Sequence, residues 1–483
     1  MATEPEAPTQ APPAAATDAT APAPASKQLV DPWNVAGEIG EDGKAKAIDY
    51  NKLVDEFGTK LIDQNLLARF EKVTGHKPHR FLRRKIFFSE RDLNLILDRH
   101  EKGEPFFLYT GRGPSSDSMH VGHTQIFDFV KWLQDVFDVP LIIMLTDDEK
   151  FLFSEKRTVE EVMGYTRDNT KDIIAIGFNP EKTFIFSDYD FMGGAFYRNI
   201  TRFSKMVTYN QAKAVFGFND SSNIGKIHFG SIQGATSFAS SFPHIFGTDE
   251  PRTNKIPCLI PCAIDQDPYF RVTRDVASRL KFAKPSLIHA RFLDALQGPG
   301  SKMSASIDTS AIFLKDTPNQ IKNKINKYAF SGGQETVEEH RKLGGNPDVD
   351  VSYQWLNFFM EDDDALKKLG EDYRKGELLT GELKAVCIKH LQEYVAGFQE
   401  RRSKVTEEVV DDFMARKPLN WKGNPKTERV VPVSGDAPAK LEAGEGEGKL
   451  TKNQLKKLEK ERQVAAKKAA KAAEKEAAKA NAS

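Results

Sequence analysis

Residues 106–150 read FFLYTGRGPSSDSMHVGHTQIFDFVKWLQDVFDVPLIIMLTDDEK, and this stretch decides the fold. Phe106, Phe107, Leu108 and Tyr109 form a short apolar run ended by Thr110 and Gly111, the pattern of a buried strand stopped at a glycine turn. Ile126, Phe129, Val130, Leu133, Val136 and Phe137 then recur at helical spacing. Pro140 introduces the apolar run 141–145, a second strand. Strand, loop, helix and strand make a βαβ unit, whose two strands lie parallel.

The pattern repeats downstream. Thr158 and Glu161 form a capping box, Ile173, Ile174 and Ile176 share an apolar face, and Gly177 and Pro180 supply the stop. Apolar runs at 183–186, 258–264 and 287–292 predict further strands. The fold class is therefore α/β, a Rossmann-type doubly wound parallel sheet. Ligands of such sheets bind beyond the carboxyl ends of the strands, here after Tyr109, Leu145, Phe186 and Ile264.

Working outward, 483 residues suggest two or three folded units. A mean hydropathy of −0.50 points to polar tails diluting an ordinary core. Residues 1–30 are Ala/Pro-rich without apolar periodicity and read as disordered. Residues 31–105 read as an extension packed on the catalytic domain of 106–317. They hold a helical stretch at 50–73 and the basic run His79, Arg80, Arg83, Arg84 and Lys85, either a solvated face or a phosphate contact. Strand signals fade after 317, and long helical patterns through Val386, Leu391, Val395 and Phe398 place a helical domain at 318–421. A linker at 422–448 precedes a tail, 449–483, with eleven basic and four acidic residues, a net charge of +7. Thr451 and Gln454 cap it, so a charged helix suited to RNA or to solubility is expected.

Lys plus Arg equals Asp plus Glu, 69 against 69, so overall charge selects no partner. Cys258, Cys262 and Cys387 are too few and odd in number for a disulfide framework. The chain has no run long and apolar enough to span a bilayer and no signal-peptide pattern, so a cytoplasmic protein without a membrane partner is expected.

The loop after the first strand runs Tyr109, Thr110, Gly111, Arg112, Gly113, Pro114, Ser115, Ser116, and His120, Val121, Gly122, His123 open the next helix. The GxGxxG spacing fails at Ser116, so this is no dinucleotide fingerprint, yet a helix N-terminus behind small residues can receive a phosphate. His120 and His123 lack a third ligand at metal spacing, and no tightly bound metal is expected. Gly122 leaves room for a purine base against the backbone. Far along the chain Lys302, Met303, Ser304, Ala305 and Ser306 follow Gly298, Pro299 and Gly300, presenting a lysine on a glycine-rich loop.

The pair of elements resembles the HIGH and KMSKS signatures of class I aminoacyl-tRNA synthetases. With Thr146-Asp147-Asp148-Glu149-Lys150 and Ala263-Ile264-Asp265-Gln266-Asp267-Pro268-Tyr269-Phe270, residues 31–420 resemble the eukaryotic cytoplasmic tryptophanyl-tRNA synthetases. The resemblance implies a ligase that activates L-tryptophan with ATP, Mg²⁺ accompanying the nucleotide, and transfers it to tRNA(Trp). It also implies an anticodon-binding helical domain and a homodimer. His120, His123, Lys302 and Ser304 are then catalytic. Thr110, Gly111, Arg112, Gly113, Gly122, Met303 and Ser306 join them around ATP, and Tyr109, Glu149, Lys150, Gln233, Asp265 and Gln266 hold tryptophan. Ala305 replaces the second lysine of the common loop, removing one cation. Met144 stands where the family often has a polar residue beside the indole, which leaves Tyr109, with Glu149, to accept the indole N–H.

Two rivals remain at this level. A tyrosyl-tRNA synthetase needs a pocket group able to donate as well as accept, and Met144 fits indole better. A non-catalytic RNA-binding protein suits the basic tail but has no use for the His pair, Glu149, Lys150, Gln266 and Lys302. An oxidoreductase on the same sheet requires the missing glycine fingerprint.

Overall fold

The computed structural model describes residues 27–32, 35–38, 46–300, 303 and 307–421. The linker 422–448, the basic tail 449–483, most of segment 1–30, and Lys302, Ser304 and Ser306 lie outside the described residues.

The strands are β1 (Leu29–Val30), β2 (Val35–Ala36), β3 (Lys60–Leu61), β4 (Phe87–Arg91), β5 (Phe107–Arg112), β6 (Leu141–Leu145), β7 (Thr183–Ser187), β8 (Cys258–Ala263) and β9 (Ser286–Ala290). β1 and β2 form a small antiparallel ladder. The other seven make one sheet in the order β3-β4-β9-β8-β5-β6-β7. From β9 to β7 every neighbouring pair is parallel, with Tyr109 opposite Ile142 and Gly111 opposite Met144. β3 and β4 add an antiparallel edge. The chain winds outward from β5 through β6 to β7 and then returns to β8 on the other side of β5. The switch point, and the crevice it opens, lies between β5 and β8.

β6 shows why the sheet is buried on both faces. Leu141, Ile143 and Leu145 enter one apolar cluster while Ile142 and Met144 enter another, the period of two expected of a strand. Phe106 and Leu108 against Phe107 and Tyr109 divide in the same way. The helix Val121–Phe137 covers the first face. Thr158 and Glu161 cap Val159–Ile174 reciprocally at 3.2 and 2.9 Å, as their spacing predicts.

Two expectations need correction. The helical stretch 50–73 is two helices, Tyr50–Phe57 and Gln64–Thr74, because Gly58 takes φ 63° and turns the chain into β3. The arginines of the basic run beyond it are neither a solvated face nor a free phosphate contact, while Lys85 is exposed. Arg80 pairs with Glu361 at 2.6 Å, and Arg83 and Arg84 pair with Asp363 at 2.5 and 2.6 Å. Arg84 also donates to the carbonyls of Asn357 and Met360 at 2.8 and 2.7 Å. These arginines tie the segment before β4 to the helices Val351–Phe359 and Asp363–Arg374.

Six helices from Pro318–Tyr328 to Glu407–Met414 form the C-terminal part, and all but Val337–Leu343, whose Val337 and Leu343 are exposed, place apolar residues in the same core as the sheet. Trp355, fully buried, donates from its indole to the Asp294 carbonyl at 2.9 Å. The last described residues return to the sheet's other face, where Leu419 and Trp421 pack.

Candidate active site

A cavity of about 300 Å³ opens at the carboxyl ends of β5, β6, β8 and β9. Tyr109, Thr110, Gly111, Arg112, Gly113, His120, Gly122, His123, Glu149, Lys150, Gln233, Asp265, Gln266 and Met303 all line it. Five separate stretches of chain, the furthest almost two hundred residues apart, thus meet at the switch point. The other lysine-loop residues singled out, Lys302, Ser304 and Ser306, lie outside the described residues.

At one end, beyond β6, Glu149 accepts from the Thr146 hydroxyl at 2.7 Å and pairs with Lys150 at 2.9 Å. The pair lies over Gly113, where a Cβ would fall 1.9 Å from Lys150 Cε. Only glycine leaves that space. Behind Glu149 the carboxylates of Asp147, Asp148 and Asp188 lie within 4.8 Å of one another. Burial lifts Asp148 to about 6 and raises Asp188 further, with the neighbouring carboxylates adding to the latter. All three are buried and none lines the cavity. Asp188 sits one residue past β7, and the pairing of Leu145 with Ser187 in adjacent parallel strands brings it to Asp147 and Asp148.

The apolar wall beside this end holds Tyr109, whose hydroxyl donates to Met144 Sδ at 3.2 Å and to the Gln233 carbonyl at 3.3 Å. Thr236 donates to the same sulfur at 3.3 Å. Met144 therefore serves as an acceptor, which its residue type does not announce. Burial pushes the Tyr109 phenol well above its usual range, so it stays neutral and keeps its proton for these partners. Phe270 meets the Tyr109 ring edge-on at 5.9 Å, and Gln233 donates to Gln266 at 3.3 Å.

Between the two ends the helix Val121–Phe137 points its N-terminus at the cavity. His120 and His123 stack with ring centroids 3.6 Å apart, and His123 Nδ1 accepts the His120 backbone N–H at 3.2 Å. A Cβ on Gly122 would meet Met303 Sδ at 3.0 Å and His120 Nδ1 at 3.1 Å. Glycine here lets the lysine loop's methionine close on the helix. Arg112 donates to Asn169 at 3.2 Å, and burial lowers it to about 10 against the pull of Asp172 and Glu149. Gln125, Arg291 and Phe292 complete the far end. Arg291 and Phe292 follow β9, and the strand-end rule finds them once β9 is ended at Ala290 rather than at 292.

The arrangement offers donors and cations for phosphates, an ion pair for an amino acid, and a neutral acceptor in an apolar wall. Among the described residues it holds no nucleophile with a paired base. A family model described as tRNA synthetases class I (W and Y) matches residues 101–396. The cytoplasmic tryptophan–tRNA ligase of Saccharomyces cerevisiae is 61% identical over 395 residues, covering 82% of this chain and 90% of that one. That of Schizosaccharomyces pombe is 61% identical over 396 residues, covering 82% and 99%. The solved tryptophanyl-tRNA synthetase of Giardia lamblia superposes with a TM-score of 0.73 at 43% identity, over 77% of this chain and 97% of that one.

Proposed function

The chain belongs to the class I tRNA synthetases for tryptophan and tyrosine, and from that premise we propose that it is a cytoplasmic tryptophan–tRNA ligase. It activates L-tryptophan with ATP to tryptophanyl-adenylate and pyrophosphate, then passes the tryptophanyl group to the 3′-terminal adenosine of tRNA(Trp). The observation that carries this reading is the sharing of one cavity by the Tyr109 hydroxyl, the Glu149–Lys150 pair and the His120–His123 pair.

The tryptophan carboxylate is itself the nucleophile, so no base is needed, and catalysis is positioning and charge stabilisation at the α-phosphate. Tyr109 accepts the indole N–H. Glu149 takes the ammonium and Lys150 the carboxylate of the amino acid, with Gln233, Gln266 and Asp265 closing the shell. Nε2 of His123 carries the ring proton, because Nδ1 is the acceptor of the His120 N–H. His120, His123 and the backbone of Thr110 to Gly113 then hold the phosphates, and Lys302, Met303, Ser304 and Ser306 close over the pyrophosphate. Ala305 leaves one cation fewer there than the common loop has.

Mg²⁺ enters with ATP as part of that substrate. The acidic residues of the lining are Glu149, already paired with Lys150, and Asp265, a set suited to substrate groups rather than to a resident ion. The helices of 318–421 bind the anticodon, 31–105 buttress the catalytic domain, the tail 449–483 adds affinity for tRNA, and the enzyme is a homodimer.

Amino-acid-dependent exchange of labelled pyrophosphate into ATP, with tryptophan and tyrosine in parallel, tests the reading. Exchange with tryptophan alone is expected. Exchange with tyrosine alone reassigns the pocket around Tyr109, and exchange with neither, by folded protein, removes the enzyme.

A further inference from the structure

The far end of the cavity holds a cation that the roles above leave unused. Arg291 is the first residue beyond β9 and lines the cavity. Its backbone is held on both sides: its N–H donates to the Ile86 carbonyl at 2.8 Å, and its carbonyl accepts from Gln125 at 2.9 Å. Gln125 belongs to the helix that carries His120 and His123, so the position of Arg291 is tied to theirs. The guanidinium carbon lies 4.9 Å from the Tyr50 ring centre and 5.5 Å from that of Phe88. Tyr50 is fixed in turn by accepting the Phe292 N–H at 3.0 Å.

This arginine is backed by aromatic rings and has a buried Nε without a hydrogen-bond partner. Burial lowers its pKa, and Tyr50 alone opposes that effect; no carboxylate does so. A half-buried guanidinium, backed by two aromatic rings and without an acid partner among the described residues, presents donors to the cavity it lines. The occupant follows from the order of the wall. Tyr109, Glu149 and Lys150 lie beyond β5 and β6, Asp265 and Gln266 beyond β8, and Arg291, Phe292 and Leu293 beyond β9, while His120 and His123 open the helix whose Gln125 holds Arg291. Attack of the amino-acid carboxylate on the α-phosphate sets the phosphates in the middle. The nucleoside is then left for the end at β9, and its ring nitrogens and ribose hydroxyls are acceptors that match the guanidinium.

Resting on the synthetase reading, we propose that Arg291 is a further ATP-binding residue, donating to the adenosine half of the nucleotide from its platform on Tyr50 and Phe88. The test uses the full chain and the variants Arg291→Met and Arg291→Lys. ATP and tryptophan KM values are read in pyrophosphate exchange, and the affinities of adenosine and of inorganic pyrophosphate are measured by calorimetry. For Arg291→Met the ATP KM rises and adenosine binding weakens, each about tenfold, while the tryptophan KM and pyrophosphate binding stay within about twofold. Arg291→Lys, which keeps the charge without the planar fork, falls between and serves if the methionine variant is unstable. Unchanged adenosine affinity overturns the proposal, whether or not pyrophosphate binding falls. Absence of tryptophan-dependent exchange in the wild type, with adenosine still bound, counts against the synthetase reading and not against Arg291.

Discussion

His123 Nδ1 accepts the backbone N–H of His120 at 3.2 Å while the two imidazoles stack 3.6 Å apart. One hydrogen bond thereby closes the helix N-terminus, orients both rings and dictates the tautomer of His123.

His123→Ala removes a preorganised donor aimed at the phosphates. Adenylation, followed by pyrophosphate exchange, should slow by about 10²–10³-fold, with tryptophan binding by calorimetry little changed. His123→Asn keeps an acceptor for the cap and should restore thermal stability before it restores rate.

Lys302→Ala should cost about 10²–10³ in adenylation rate by the same logic. Because Ala305 supplies no second cation, the loss should sit near the upper end. Single-turnover formation of the adenylate measures it, and a loss below about threefold would remove the loop from the mechanism.

Gly113→Ala places a methyl group 1.9 Å from Lys150 Cε. The obstructed atom is the far end of a flexible side chain, so the protein should fold with a melting temperature close to wild type. The displaced Lys150 should raise the tryptophan KM by about tenfold, equal to ~1.4 kcal/mol, with the ATP KM steady.

Arg84→Ala leaves the carbonyls of Asn357 and Met360 without their donor and Asp363 with one partner fewer. About 1–3 kcal/mol of stability should go, visible in urea unfolding. The salt dependence of tRNA binding should not change, which separates this clamp from a phosphate-binding role.

Asp267 is buried, which by itself raises its pKa, but hydrogen bonds from His289 and Arg91 outweigh burial and hold it at about 2. Its folded value lies below the ordinary 3.8, so its contribution is complete above that value and is lost as pH falls through about 2. The shift corresponds to roughly 2 kcal/mol. Asp267→Asn should lose about 3–5 kcal/mol at neutral pH by leaving Arg91 uncompensated, and should flatten the acid limb between pH 4 and 2.

The parallel sheet was legible in the chain because each strand is a short apolar run closed by a turn residue, and because parallel strands buried on both faces keep no polar alternation to blur the signal. Motif residues such as His120, Gly122 and His123 were legible for a similar reason, since each sits at a strand end or helix start that local pattern locates. The break at Gly58 was within reach of the same reasoning, while β3 was not, being two residues long and half polar.

By itself, then, the sequence determined the parallel strands, the place of the switch point and the family, all of which rest on neighbours along the chain or on motif identity. Tertiary structure alone decided the partners. Nothing near Arg84 in sequence names Asp363, and nothing near Met144 names it an acceptor for Tyr109 and Thr236. Asp188 gives no local sign of joining Asp147 and Asp148, nor Arg291 of standing on Tyr50 and Phe88. Each of these pairings spans a chain separation that local propensity does not encode, and each is set by the burial of groups whose polar atoms must find a partner once water is gone.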